Sequence, residues 1–360
     1  VREAARYLAR VVDEDGRFRY LVAAPTGETI PGYNWPRHAG ATFFLAQAAA
    51  VLDDPDVRWA ALRAAALLRD EKMTTCGEYA CIADDEVADV GSSALALIAF
   101  TEIVRTGADG SYRPAVAALA RFLRSMQRED GELMHLYRRD GRVPLDVQFL
   151  YYTGEATLAL ARAHTITGDA RDLEAAGRAL AHLVGPGWSF FGSRYYWNEE
   201  HWTCQAMAEL WDRAPSDDAL AFCLRWHAYQ RRLQYGERES PFDADGAFGF
   251  GPFVTPRVTP ASSRGEAAGA TLAVLLHERR AGRDRYASEI PLLEDELRRA
   301  LAFVLRHQLG PRQTTDHLFA TPELVRGALP GSAVDLQLRI DYPQHAGSAM
   351  VRWLELTDGS

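Results

Sequence analysis

Tyr33-Asn-Trp-Pro-Arg-His38-Ala-Gly40 and Ile340-Asp341-Tyr342-Pro343-Gln344-His345-Ala-Gly347 read almost alike and stand at opposite ends of the chain. In each, an Asx residue lies two positions before a proline, and His-Ala-Gly opens an apolar run. Asx is a preferred helix cap and proline is tolerated in a first helical turn, so both stretches predict helix starts. If the chain closes into a ring, the two starts meet at its seam.

Working outward from this pair, apolar periodicity gives twelve helical patterns that fall into six pairs. The first members, about 2 to 12, 56 to 69, 113 to 127, 171 to 184, 216 to 233 and 287 to 308, carry one charged face and predict outer helices. The second members, about 37 to 52, 90 to 106, 154 to 167, 200 to 213, 264 to 280 and 344 to 356, are rich in small residues and apolar all round. That pattern predicts inner helices packed on both sides.

Loop length supplies the asymmetry. Passing from an inner helix to the next outer one takes a few residues, as in Leu52-Asp-Asp-Pro55 and His164-Thr-Ile-Thr-Gly168-Asp169. Passing from an outer helix to its inner partner takes roughly 15 to 35 residues, and such long loops are usually functional. In an antiparallel ring all of them lie on one face. Asp15-Gly16, Asp130-Gly131 with Asp140-Gly141, and Asp245-Gly246 are each followed by alternating aromatic or apolar residues, predicting short two-stranded ribbons around that face. Nothing in the pattern suggests a linker, so residues 1–360 read as one domain.

With 360 residues, 48% hydrophobic and 25% charged, the chain can bury a large core. A formal charge of −9 argues against sequence-independent nucleic-acid binding, which needs a basic surface. No apolar run is long enough to cross a membrane. The chain starts at Val1 already in helical register, so further domains of a longer parent chain are an open expectation, and the compartment is unassigned with the cytoplasm slightly favoured. Cys76 and Cys81 lack a second Cys/His pair at zinc-ligand spacing, and free thiols are favoured over a bridge or a shared metal.

Six outer/inner helix pairs with one functional face resemble the (α/α)6 toroid, the all-α fold of many carbohydrate-active proteins, including N-acylglucosamine 2-epimerase relatives and unsaturated glucuronyl hydrolases. The likeness covers the whole chain through its architecture. Gln127-Arg-Glu-Asp130-Gly131, at the end of an outer helix, is similar to the Gln/Asp-Gly repeat of isoprenoid cyclases, with a degenerate copy around Tyr7 to Phe18. In the cyclases that repeat stabilises the fold; their catalytic Asp-x-Asp-Asp is absent here, with Asp84-Asp85-Glu86 the nearest approach.

Long loops that enter the inner helices at their N-termini ring a cavity with helix starts, whose free N–H groups favour negative charge. The ionisable residues placed there are the catalytic candidates: His38, Asp89, Glu155, His201, Glu266, Asp341, Tyr342 and His345. Arg37 and Arg264 could clamp an anion bidentately. Trp35, Tyr152, Trp197, Glu200, Trp202 and Gln344 complete the expected binding surface, since aromatic faces beside charged groups suit sugar rings. Capping is the competing role for Asp89 and Asp341, a capping box Ser263-Arg-Gly-Glu266 for Glu266, and a packed seam for the histidines.

The leading expectation is a carbohydrate-active enzyme: a hydrolase, lyase or epimerase for a small or oligomeric saccharide, with an anionic sugar among the options. A hydrolase needs two acids flanking the scissile bond, whereas an epimerase needs His or Tyr to move a proton beside a carbonyl. A non-catalytic saccharide-binding or assembly module is the alternative, and an isoprenoid-cyclase-like enzyme is a further one. No glycine-rich nucleotide loop, His-Glu-x-x-His or Gly-x-Ser-x-Gly occurs, and neither cofactor nor metal is expected.

Overall fold

The computed structural model describes residues 1–186, 201–236, 244–249, 255–310 and 316–358. Its helices follow the paired pattern: α1 (Arg2–Arg10) and α2 (Trp35–Leu52), then α3 (Pro55–Leu67) and α4 (Val90–Arg105). α5 (Arg113–Ser125) and α6 (Tyr152–Thr167) follow, then α7 (Ala170–Val184) and α8 (His201–Leu210), and α9 (Asp217–Gln230) and α10 (Val258–Arg280). α11 (Ile290–His307), a short α12 (Pro322–Val325) and α13 (Asp341–Asp358) complete the chain. Each inner helix packs on the next, and α13 packs on α2 to close the ring, the all-α toroid expected from the sequence.

Glycine makes the closure tight. A Cβ on Gly347 of α13 would lie 2.0 Å from the Phe44 ring of α2, and one on Gly40 would lie 3.0 Å from Gln344 Oε1. Gly347 thus admits the Phe44 ring at a distance real Cβ contacts do not reach, and Gly40 lets the Gln344 side chain approach more closely than an ordinary Cβ would. The seam is also sewn at the mouth. Strand β1 (Leu21–Ala23), paired to β2 (Glu28–Thr29), pairs antiparallel with β8 (Gln337–Arg339), joining the first long loop to the last.

The other ribbons are β3 (Met73–Cys76) with β4 (Tyr79–Ile82), and a sheet in the order β5 (Val87–Asp89), β6 (Leu136–Arg138), β7 (Val143–Leu145). Asp140-Gly141 turns the β6–β7 hairpin as predicted. The other three Asp-Gly pairs lie within single bridges instead of ribbons, Val12 to Phe18, Gln127 to Leu133 and Gln234 to Phe248. Each bridge anchors one outer helix on the next. The Gln127 amide donates to Gly131 O and to Ala175 O of α7, and the Gln234 amide donates to Gly246 O and to Glu296 O of α11.

The thiol expectation is corrected. In the β3–β4 register Cys76 faces Tyr79, which puts Cys81 diagonally opposite with 5.9 Å between Cα atoms, and the two are bonded. Cys204 of α8 and Cys223 of α9 form a second bridge, with Cα atoms 5.8 Å apart. Both spacings are those of ordinary disulfides.

The far end of the ring is filled by charge. Arg162, 4% exposed, sits between Glu102 Oε2 and Glu209 Oε2 at 3.2 Å each, late in α6, α4 and α8. Three inner-helix C-termini converge there, so a buried cation is well placed against their dipoles. The open end is at the helix starts.

Candidate functional site

The cavity at the inner-helix starts has a volume of about 350 Å³. Of the residues expected from sequence, Arg37, Tyr152, Glu155, His201, Trp202, Asp341, Gln344 and His345 line it, contributed by α2, α6, α8 and α13. A hollow of about 340 Å³ between α9, α10 and α11 holds Asp217, Glu278 and Arg283 and none of the expected residues.

Two of the lining residues, His201 and His345, meet the buried Glu266 behind the wall in a three-residue cluster on three successive inner helices. His345 Nδ1 of α13 lies 2.8 Å from Glu266 Oε2 of α10, and His201 Nε2 of α8 lies 3.7 Å from the same oxygen. The imidazoles meet edge to face with centroids 5.2 Å apart. Glu266 is 3% exposed; burial pushes its carboxyl up from the ordinary range, and His345 opposes that shift. The Gln344 amide stands 3.3 Å from His345 Nδ1. Among the described residues this is also where a metal ion could be held, as one donor atom from each of the three residues lies within 4.8 Å of the other two.

The capping box expected for Glu266 is corrected. α10 starts at Val258, several residues earlier than the periodicity indicates, with Pro260 inside its first turn. Ser263 therefore bonds back to Pro260 O instead of capping, and Glu266 is free of that duty. The earlier start also brings Arg257 and Thr259 to the wall, which the sequence reading missed along with Arg339.

One sector of the wall is basic. Arg339 grips Asp341 with two parallel bonds of 2.6 and 2.9 Å, and Arg37 Nε stands 3.3 Å from the same carboxylate. Asp341 was expected as a cap or a proton carrier; its carboxylate instead holds two guanidiniums. Arg257 donates to Asp335 at 2.8 Å and to the Tyr342 hydroxyl at 3.3 Å. Tyr342 itself is buried beneath Arg339 and does not line the cavity. Arg264 also points elsewhere, over the Phe248 ring at 4.6 Å.

The opposite sector is aromatic and acidic. Tyr152 fits because Gly91 lacks a Cβ, which would come 2.3 Å from its ring, and Gly154 makes room for Trp202 in the same way. Burial, with Asp89 and Glu155 nearby, pushes the Tyr152 hydroxyl up, so it stays a donor. Asp89 caps α4, accepting from Ser92 N at 2.6 Å and Ser92 Oγ at 2.7 Å, and does not line the cavity. Burial raises its carboxyl as well. Trp35, expected on the binding surface, does not line the cavity and lies beneath the Lys72 ammonium, 4.7 Å from the ring. Trp197 and Glu200 lie outside the described residues.

His38, expected to face His345 across the seam, does not reach the cavity. Its Nε2 donates to Ala64 O at 2.9 Å, which leaves Nδ1 to accept from the Tyr33 hydroxyl at 2.7 Å. Tyr33 in turn accepts from Phe18 N at 3.1 Å. This chain ties the first long loop, α2 and α3 together and requires a neutral imidazole. Burial holds His38 down at about 4, against an ordinary 6.5. The unfolded chain then binds the extra proton between those values. Stability is full above pH 6.5 and is lost as pH falls toward 4, by on the order of 3 kcal/mol. Urea midpoints at pH 7 and pH 4.5 check this: the drop is expected to shrink in His38→Asn, and an undiminished drop would refute the assignment.

The fold and the cavity define a six-hairpin toroid with its site at the inner-helix starts. No known protein family matches the sequence, and no curated protein does. Solved structures match over nearly the whole chain. A D-mannose isomerase superposes with TM-score 0.70 at 13% identity, covering 97% of this chain and 94% of its own. Cellobiose 2-epimerase from Spirochaeta thermophila gives 0.70 at 14%, covering 99% and 95%. An unsaturated glucuronyl hydrolase specific for heparin gives 0.67 at 11%, covering 99% and 96%. At such identities the likeness is one of fold.

Proposed function

We propose that the chain is a carbohydrate-active enzyme that moves a proton at a sugar carbon beside a carbonyl, as an epimerase or isomerase. The carrying observation is the buried Glu266 carboxylate shared by His345 and His201 at the cavity. A neutral imidazole is a base near neutral pH, and a buried carboxyl behind it can take or return its proton. On an open-chain aldose, one imidazole takes the C2 proton, the electron pair passes into C1=O, and the enediolate forms. Return of a proton to C2 from the second imidazole re-forms C1=O and inverts that carbon; delivery to C1, with the O2 proton passing to O1 as C2=O forms, gives the ketose. Tyr152, on the cavity wall, supplies a donor for the developing oxyanion.

Glycoside hydrolysis, the other reading weighed from the sequence, is less well supported because three of the four candidate acids, Asp89, Glu155, Glu266 and Asp341, already hold other partners: Asp341 two arginines, Asp89 the start of α4 and Glu266 the His345 ring. That the solved neighbours include an isomerase and an epimerase lends support to the first reading.

The test is solvent exchange. Incubating the protein in D2O with glucose, mannose, cellobiose and glucuronate should place deuterium at C2 of at least one sugar, seen by proton NMR. Cleavage of a glycosidic bond without any C2 exchange would sink the proposal.

A further inference from the structure

The protein carries a formal charge of −9, yet its cavity wall gathers three arginines on consecutive inner-helix starts. Arg257 precedes α10, Arg339 precedes α13 and Arg37 lies in the first turn of α2. Two carboxylates stand against them, Asp341 and Asp335. Arg339 is spent on Asp341 through both of its bonds, so its charge is matched. Arg37 and Arg257 are not used up. Arg37 engages Asp341 through Nε and the Tyr20 hydroxyl through Nη1, and Arg257 bonds through Nη2 alone. Nη2 of Arg37 and Nε and Nη1 of Arg257 have no hydrogen-bond partner among the described residues. Both guanidiniums are partly exposed, at 39% and 48%. The starts of three helices add their unpaired N–H groups on the same side.

The geometry points to an oxyanion subsite: Arg37 and Arg257 receive a carboxylate or phosphate ester carried by the sugar, while the His201–Glu266–His345 cluster faces its carbon chain. This rests on the saccharide reading above and narrows it to acidic sugars. A neutral sugar offers the two guanidinium edges no charged partner, which is where the discrimination arises. The polarity of the cavity also sets orientation. The acidic end of the substrate lies toward α2 and α10, and its uncharged hydroxyls lie toward Tyr152 and Glu155, where a second negative charge would be repelled.

Calorimetric titration with glucose, glucuronate and glucose 6-phosphate tests the subsite. At least one acidic sugar is expected to bind about tenfold or more tighter than glucose. The preferred member identifies the oxyanion. Its Kd should rise several-fold between 20 and 300 mM salt while that of glucose stays put. Arg257→Gln and Arg37→Gln should each bring the acidic-to-neutral ratio toward one, and Arg257→Lys, which keeps the charge without the fork, should fall between. Circular dichroism confirms that the variants fold. Equal affinity for all three sugars in the unaltered protein, or an equal loss for all three in Arg257→Gln, overturns the subsite. Tight glucuronate binding without C2 exchange upholds the subsite and sinks the exchange chemistry. Efficient exchange that ignores substrate charge does the reverse, and binding of none of the three overturns both.

Discussion

His345→Asn is expected to lower C2 hydrogen exchange by about 10³-fold while leaving the fold intact. Asparagine is chosen because its amide can occupy the place of Nδ1, 2.8 Å from Glu266 Oε2, and donate to the carboxylate. It has no basic nitrogen, so it cannot take a proton from carbon. Alanine would confound the result by leaving a 3% exposed carboxylate without that partner. Glu266→Gln separates a positioning role from a proton-carrying one. Burial raises the Glu266 carboxyl, so it protonates at a higher pH than a surface glutamate, and exchange in the unaltered protein should fail on the acid side of that raised value. The acid limb should change position in Glu266→Gln, because only protonation of the imidazole base then remains to set it, and roughly 10²-fold of the rate should be lost. A purely structural glutamate would lower the rate without changing the profile. Dialysis against EDTA supplies a further arm because the same three side chains have the donor spacing of a cation site. Exchange that survives chelation supports proton transfer by the imidazoles themselves; activity lost to EDTA and restored by zinc would reassign them as ligands, and undiminished exchange in His345→Asn would remove that residue from the chemistry.

How much of this was legible in the sequence depends on which physical signal carried each residue. The twelve helices showed in their period, and the open face in the contrast between short and long connections, because both are properties of local chain. His345, Asp341 and Gln344 were found by repetition of the Tyr33–Gly40 stretch, and they do line the cavity. The same repetition misled at His38. Its ring is turned toward Ala64 by the Tyr33 hydroxyl, a contact between side chains that no spacing reveals. Arg339 lies two residues before Asp341 with the end of a strand between them, so alternation in β8 was an available signal. Arg257 was hidden by placing the start of α10 too late. An early helix that begins Val-Thr-Pro-Ala-Ser-Ser has little apolar periodicity to announce it. Gln234 was missed for a related reason. It repeats the work of Gln127, but 12 residues rather than four separate it from its glycine, so the copy has the geometry without the motif.

Gly246→Ala is expected to be among the most destabilising single substitutions in the chain, costing about 4 kcal/mol or more. Gly246 has φ +84°, and its ideal Cβ would sit 2.0 Å from Arg299 O and 2.6 Å from Arg299 C, both backbone atoms of α11. The left-handed conformation alone costs an alanine about 1–2 kcal/mol. Relief of the overlap requires α11 to retreat as a body, since a helical carbonyl cannot rotate away from its own ladder. Retreat breaks the Gln234 bonds to Gly246 O and Glu296 O, each worth about 1 kcal/mol, and unpacks buried Leu297 and Ala300. Gly282 is the control. It has φ +76° but nothing within 4 Å of its ideal Cβ, so Gly282→Ala carries the conformational cost without the collision. Urea denaturation of both variants isolates the packing contribution as the difference between them, expected at about 2–3 kcal/mol. Equal losses would show that the Asp-Gly turn does not clamp the next outer helix. The same contact recurs at Gly16 against Arg63 O, Gly131 against Arg178 O and Gly327 against Glu3 O, at 2.3, 2.4 and 2.1 Å. The last of these joins the end of the chain to its first helix, so Gly327→Ala should loosen the ring where it closes, and its cost should match that of Gly246→Ala rather than that of Gly282→Ala.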